Sequence, residues 1–201
     1  MKLIDLIHER AIHPRRIRNL AAHLAEKIEA GSTLLDVGCG DGRLAAILRE
    51  KNSLSEVYGV DVLIRSSVAI PVVKFNGTKI PCRDKSWEYV MAVDVLHHAD
   101  DQKALLQDML RVARKAVVIK DHLCENVFHR WLLRKMDEVG NDRHGVAVPA
   151  KYFSRKQWEE LFRQESAVVG SFSDRIRPLP WPLAMIAGLR LHCAYSVSAL
   201  Q

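Results

Sequence analysis

What the chain lacks narrows its class before any motif is considered. No apolar run reaches about 18 residues without a charge, so no membrane-spanning helix is expected. Met1 to Ile12 carries Asp5, His8, Glu9 and Arg10 among its apolar residues, which argues against a secretory signal. Cys39, Cys82, Cys124 and Cys193 lie far apart and form no C-x-x-C pair. Neither a zinc site nor a disulfide framework is suggested, no residue is assigned to a metal, and a reducing cytoplasm is the expected compartment. Aromatic residues make up 6% of the chain and do not interleave with its basic residues, so no base-stacking platform is suggested. Internal repeats and low-complexity segments are absent as well.

What is present fits one domain. The chain has 201 residues, 48% of them hydrophobic, enough to bury a sizeable core. Its net charge is +6, spread over small groups such as Arg15, Arg16 and Arg18, Arg111, Arg114 and Lys115, and Arg130, Arg134 and Lys135. Such groups fit solvated helix faces first, an anionic substrate or a peripheral membrane surface second, and nucleic acid least. The oligomeric state is left open.

The most informative stretch runs from Leu34 to Ala45. An apolar β run, Leu34, Leu35 and Val37 around Asp36, breaks into three alternate glycines, Gly38, Gly40 and Gly42, and continues into a helix-forming run. Glycines in a strand-turn-helix allow positive φ and let a ligand approach the backbone, while the N–H groups that open the helix lack intrahelical acceptors. The dinucleotide fingerprint is G-x-G-x-x-G; here Arg43 stands at the third glycine and the pattern is G-x-G-x-G.

Three ordered motifs between Thr33 and Asp121 resemble the class I methyltransferases that use S-adenosylmethionine (SAM), in their small-molecule branch. The first is Leu34 to Leu44. The second is Asp61, 19 positions beyond Gly42 at the end of the next β run, placed to accept both ribose hydroxyls. The third runs from Asn76 to Val90 and on to Asp94-Val-Leu-His-His98, similar to that branch's D-A-x-x-L-P-F-x-D-x-S-F-D-x-V track. The resemblance implies an α/β, Rossmann-like, doubly wound sheet of seven strands, mostly parallel, in the order 3-2-1-4-5-7-6 with the last strand antiparallel. Residues 1–201 would form this one domain, with an N-terminal helical region over 1–30 and a lid or substrate-specificity insertion over 122–154.

Taken in order, apolar spacing predicts a helix from Arg15 to Ala30, stopped by Gly31. A helix over Arg43 to Lys51 leads to strand two, which ends at Asp61. Val62 to Pro71 leaves room for one abbreviated turn before strand three, Val72 to Phe75. Strand four is expected at Tyr89 to Val95, a helix at Gln102 to Ala113 and strand five at Ala116 to Ile119. The family's Pro-Gly-Gly turn before strand five is missing, since Val112-Ala-Arg-Lys-Ala116 stands there. A helix over Glu125 to Val139 follows. Ser154 then reads as the N-cap of a helix from Arg155 to Arg163, with Gln157 three residues on. Val168 to Phe172 and His192 to Ser198 are the last strands, and Pro178, Pro180, Trp181 and Pro182 form a stiff apolar bend between them.

The resemblance also implies roles. The cofactor would meet Asp36, Gly38, Cys39, Gly40, Asp61, Val62, Asn76, Gly77, Thr78 and Asp94. Of these, Asp36 would support the loop and the ligand's amino group, and the Asn76 amide would both accept from and donate to adenine, although an Asx turn is its bland rival. Asp94 would face the methyl-bearing end and must find either a ligand or an ion pair. His98 and His144 are candidate bases, with His97 and His122 given structural roles by default. The reaction would be in-line methyl transfer to a small-molecule or lipid-like acceptor, and S-adenosylhomocysteine its product. Strand four ends in Asp-Val-Leu-His-His rather than an N-P-P-Y end, which favours oxygen or carbon as the acceptor atom and leaves N-methylation of a small amine open. Two rival readings are a SAM-binding module without turnover and a dinucleotide oxidoreductase.

Overall fold

The computed structural model describes residues 13–141, 151–176 and 190–200. Expectations for His144 and for the Pro178 to Pro182 bend lie outside them. The elements run α1 (His13–Ala25), β1 (Thr33–Val37), α2 (Arg43–Lys51), β2 (Glu56–Asp61), β3 (Val72–Lys74) and β4 (Trp87–Val93). A 3-10 turn over Leu96–His98 follows, then α3 (Gln102–Val112), β5 (Ala113–His122), α4 (Val127–Asn141), α5 (Arg155–Gln164), β6 (Ala167–Ser173) and β7 (His192–Ala199). The seven strands form one sheet in the order β3-β2-β1-β4-β5-β7-β6, as expected. Pairs from β3 to β5 are parallel, and β7 runs antiparallel to both β5 and β6.

Strand alternation divides the core into two apolar layers. Leu35, Val37, Val90, Ala92, Val117 and Ile119 pack toward α3 and α5, where Leu105, Leu106, Met109, Trp158 and Phe162 are buried. Their neighbours in sequence, Leu34, Tyr89, Met91 and Val118, pack toward Ala21, Leu24, Ala45 and Leu48 of α1 and α2. Helices on both faces explain why these central strands read as nearly continuous apolar runs.

Four segments depart most from expectation, for visible reasons. Helix α1 stops at Ala25, not Ala30, because Asn52 Nδ2 donates to the carbonyls of Ala25 and Ile28 at 2.9 and 2.5 Å, satisfying the chain as it turns. No helical turn forms between β2 and β3; the segment only bends, tied by Ala69 N–H to the Asp41 carbonyl at 2.8 Å. Strand β4 ends at Val93, since Asp94 takes a left-handed φ of 56°. Strand β5 is longer than expected at both ends. Val112 closes α3 and Ala113 opens β5 with no loop between, and Lys120, Asp121 and His122 continue the strand because β7 pairs with them.

Candidate functional site

Parallel strands place ligands at their carboxyl ends, and the candidate residues gather there. All three glycines of the first motif have positive φ: 69° at Gly38, 59° at Gly40 and 72° at Gly42. Their surroundings nevertheless differ. A Cβ on Gly38 would lie 2.5 Å from Val95, and one on Gly42 would lie 2.5 Å from Ile70. One on Gly40 would meet nothing within 4 Å. Gly38 thus lets the end of β4 pack onto the loop, whereas Gly40 presents the open backbone that a ligand can approach.

The loop's donors are largely consumed within the protein. The N–H groups of Gly38 and Cys39 both reach the Val60 carbonyl, at 2.7 and 3.4 Å. Gly40 N–H donates to Asp61 Oδ2 at 2.8 Å, Gly42 N–H to the Cys39 carbonyl at 2.9 Å, and Arg43 N–H to Asp41 Oδ1 at 3.1 Å. Asp61 Oδ1 takes Leu63 N–H at 2.9 Å, so it is Asp61 that supports the loop. Asp36 is 3% exposed, and burial, followed by the nearby Asp61 and Asp41, raises its carboxyl pKa to about 8. A loop short of free donors, with the Asp61 carboxylate on Gly40 and Asp41 paired to Arg43, suits a cation better than a pyrophosphate.

The remaining cofactor candidates fall around this loop in different ways. Cys39 turns its thiol onto Gly59, where a Cβ would come within 2.4 Å of Sγ. Burial pushes that thiol up to about 12, so it offers packing rather than chemistry. Asn76 forms the Asx turn: its Oδ1 accepts from Thr78 N–H at 3.0 Å and Lys79 N–H at 2.8 Å. The amide NH2 is the group it offers to a ring. Gly77 has φ 85°, and a Cβ there would lie 3.4 Å from the exposed Val62, so these two residues face each other beyond Asp61. Thr78 is exposed.

Beyond Val95 lies a second cluster of a different character. Asp94 Oδ2 pairs with Arg16 at 2.6 Å and its Oδ1 with Lys120, a lysine that is 0% exposed. Burial opposes the charged form of Asp94, but Lys120 and then Arg16 hold its carboxyl well below the ordinary carboxylate range. His97 Nδ1 lies 2.5 Å from Asp121 Oδ1, with both side chains 1% exposed. The His97 ring stands 3.8 Å from His98 and 4.6 Å from His122, and the His122 ring 5.1 Å from His192. Tyr152 closes the group against His97 and His122 at 5.7 and 5.6 Å. His192 is buried, and burial, followed by Lys120, holds its pKa well below the ordinary value, so it is neutral near neutral pH. Its Nδ1 has no hydrogen-bond partner among the described residues.

Ligating atoms of Asp94, His122 and His192 lie within 4.8 Å of one another. Both oxygens of Asp94 already bind cationic side chains, however, so a divalent ion would have to displace Arg16 and face the Lys120 ammonium. The cluster therefore suits hydrogen bonding and proton handling.

Sequence reading placed Asp94 here, and His98 sits on the adjoining 3-10 turn, while His144 lies outside the described residues. It missed Arg16, Lys120, Asp121 and His192 as members of one group. The available signal was Lys120-Asp121-His122, three polar residues directly after the apolar run of β5, at the strand end where ligands bind.

Comparisons with known proteins agree with this geometry. The methyltransferase domain family matches residues 7–165. The chain is 30% identical over 112 residues to the O-methyltransferase resE of Aspergillus sclerotiorum, covering 50% of this chain and 42% of that protein. It is 30% identical over 109 residues to the bifunctional methionine biosynthesis protein MetXA/MetW of Rhodopirellula baltica, covering 47% of this chain and 18% of that one. The chain thus spans less than half the length of either curated relative. A putative methyltransferase of Haloferax volcanii, solved in complex with the Trm112 methyltransferase activator, superposes with a TM-score of 0.73 at 17% identity, covering 92% of this chain and 90% of that one. With its model matching residues 7–165, the methyltransferase domain family is the one to which this chain belongs.

Proposed function

We propose that the chain moves the methyl group of SAM to a small-molecule or lipid-like acceptor by in-line displacement, with oxygen favoured as the acceptor atom. The observation that carries this reading is the open face of Gly40 among Asp36, Asp41 and Asp61, beside Gly38, on which Val95 at the end of β4 packs. A donor with a sulfonium and an ammonium suits the first pocket. Asp61 would take the ribose, and Val62, Gly77, Thr78 and the Asn76 amide would border the adenine.

The sulfonium is already a good electrophile, so the protein's main work is to align the acceptor and exclude water. Asp94, held ionised by Lys120 and Arg16, is too weak a base to take a proton and instead provides a fixed negative charge at the methyl-bearing end. The neutral His192, its basicity lowered by burial and Lys120, would orient the acceptor through its buried nitrogen rather than take its proton. His98 and His144 are the candidate bases. Segment 122–154 would serve as the lid or substrate-specificity insertion of the single domain. Among the described residues no helix is long and apolar enough to cross a membrane, and the four free cysteines support a cytoplasmic setting.

The reading is tested at the donor first. Asp61→Ala removes a charged acceptor whose hydrogen bonds are each worth about 1.5 to 3 kcal/mol, so SAM should bind at least about tenfold more weakly by calorimetry. Unchanged affinity would dismiss the ribose role. Transfer from radiolabelled SAM to a panel of phenols, alcohols and fatty acids then tests the acceptor. A raised KM for the acceptor in His192→Gln with SAM affinity retained would support the orienting role, and unchanged kinetics would refute it.

A further inference from the structure

Helix α4 carries a surface that the chemistry of the cleft does not explain. Its inner face is accounted for: Leu133 is fully buried, and with Leu132 and Met136 it packs on Cys124, Tyr152 and Leu191. Its outer face is not. Val127 is 83% exposed, Phe128 55% and Trp131 57%. The Phe128 and Trp131 rings stack at 6.1 Å on successive turns, so three large apolar side chains form one outward patch. Isolated exposed apolar residues need no explanation, but a contiguous aromatic patch on one helix does.

The charge around the patch says what would cover it. From Val127 to Met136 the helix contains Arg130, Arg134 and Lys135, all exposed, and no acidic residue. At 100° per residue, Arg134 falls beside Val127 and Lys135 between Trp131 and Phe128, so the cations are interleaved with the apolar side chains along the same outer face. A second copy of this chain, meeting the first through a two-fold contact, would bring these arginines against their own counterparts, which opposes self-association here. Aromatic residues that partition into an interface, ringed by cations that pair with phosphate, are the composition of a helix lying in the plane of an anionic lipid surface.

We infer that α4 is an interfacial helix that docks the enzyme onto an anionic phospholipid surface, with Val127, Phe128 and Trp131 entering the acyl boundary and Arg130, Arg134 and Lys135 meeting the headgroups. The position of the helix gives this contact a use. Tyr152, packed beneath α4, also stacks on His97 and His122, so the outer face lies one layer of side chains from the polar cluster. An enzyme seated this way would draw an acceptor dissolved in the membrane rather than in water. The docking itself does not depend on which acceptor is methylated.

The test uses the full chain and sedimentation with vesicles of equimolar phosphatidylglycerol and phosphatidylcholine, against vesicles of phosphatidylcholine alone. The wild type should bind the anionic vesicles at least about tenfold more tightly than the neutral ones, and high salt should release it. Phe128→Ser combined with Trp131→Ser, and separately Arg130→Gln combined with Arg134→Gln, should each weaken binding by about tenfold or more. Circular dichroism and SAM affinity should stay unchanged in both, which separates lost docking from lost folding and from failure of the donor site. Equal binding to both vesicle types, or variants that bind as well as the wild type, would overturn the inference. So would a double serine variant that turns a dimer into a monomer in light scattering without altering vesicle binding, because the patch would then be a contact between copies.

Discussion

Asp36 lies in the middle of an apolar strand and keeps its proton until about pH 8, because burial and two neighbouring carboxylates disfavour its charge. A bound cation reverses that preference. At about pH 7, SAM binding should therefore expel a proton from Asp36, and the calorimetric binding enthalpy should differ between phosphate and Tris buffers in proportion to their ionisation heats. Asp36→Asn should abolish the difference. The glycines teach a related lesson at this scale. Identical in the sequence, they divide into two that seat neighbouring side chains, Gly38 under Val95 and Gly42 under Ile70, and one, Gly40, that faces open space.

At the scale of elements, the capping box at α5 can be checked directly. The Ser154 side chain accepts from Gln157 N–H at 3.3 Å, and Gln157 Oε1 accepts from Ser154 N–H at 2.9 Å. Ser154→Ala should cost about 1 kcal/mol in chemical denaturation, with the slope of the transition unchanged. That cap, helix α2, the strand order and the antiparallel β7 were all legible in the sequence, since each rests on local chemistry or on an ordered set of motifs. The second cluster was not legible. Asp94 finds its partners 78 residues upstream at Arg16 and 26 downstream at Lys120, and pairings made across a sheet leave no spacing to read. Strand β5 was read short because Lys120, Asp121 and His122 look like loop residues until β7 is laid beside them. Asn76 forms the Asx turn through its Oδ1 alone, which leaves its NH2 for the proposed adenine contact.

For the whole molecule, opposed titrations set the range of greatest stability. Asp36 has a raised folded pKa, so it stays protonated when folded while its unfolded counterpart has ionised; this stabilisation declines as pH rises toward about 8. His192 has a depressed folded pKa, so unfolding takes up a proton below about pH 6.5, which offsets the Asp36 term on the acid side. Asp94 and Asp121 have depressed folded pKa values, through Lys120 and His97 respectively, and their contribution is lost as pH falls below about 4. Thermal unfolding across pH should show a maximum between about pH 4 and pH 7, with an alkaline decline of about 1.4 kcal/mol per pH unit that Asp36→Asn removes.

The seamless passage from α3 into β5 carries an implication for how this chain can vary. A strand alternates its faces residue by residue, so one extra residue just after Ala116 would present every later position of β5 to the opposite layer. Val118 would leave the α1 and α2 side, and Lys120 would be carried away from Asp94. The β4–β5 register already slips at the start of the strand, Trp87 facing Ala113 and Tyr89 facing Ala116. Beyond that point the ladder runs evenly and acts as the molecule's ruler: length can change in the outer loops, but a residue added there would misplace the polar end of the strand and the hypothesised acceptor pocket with it.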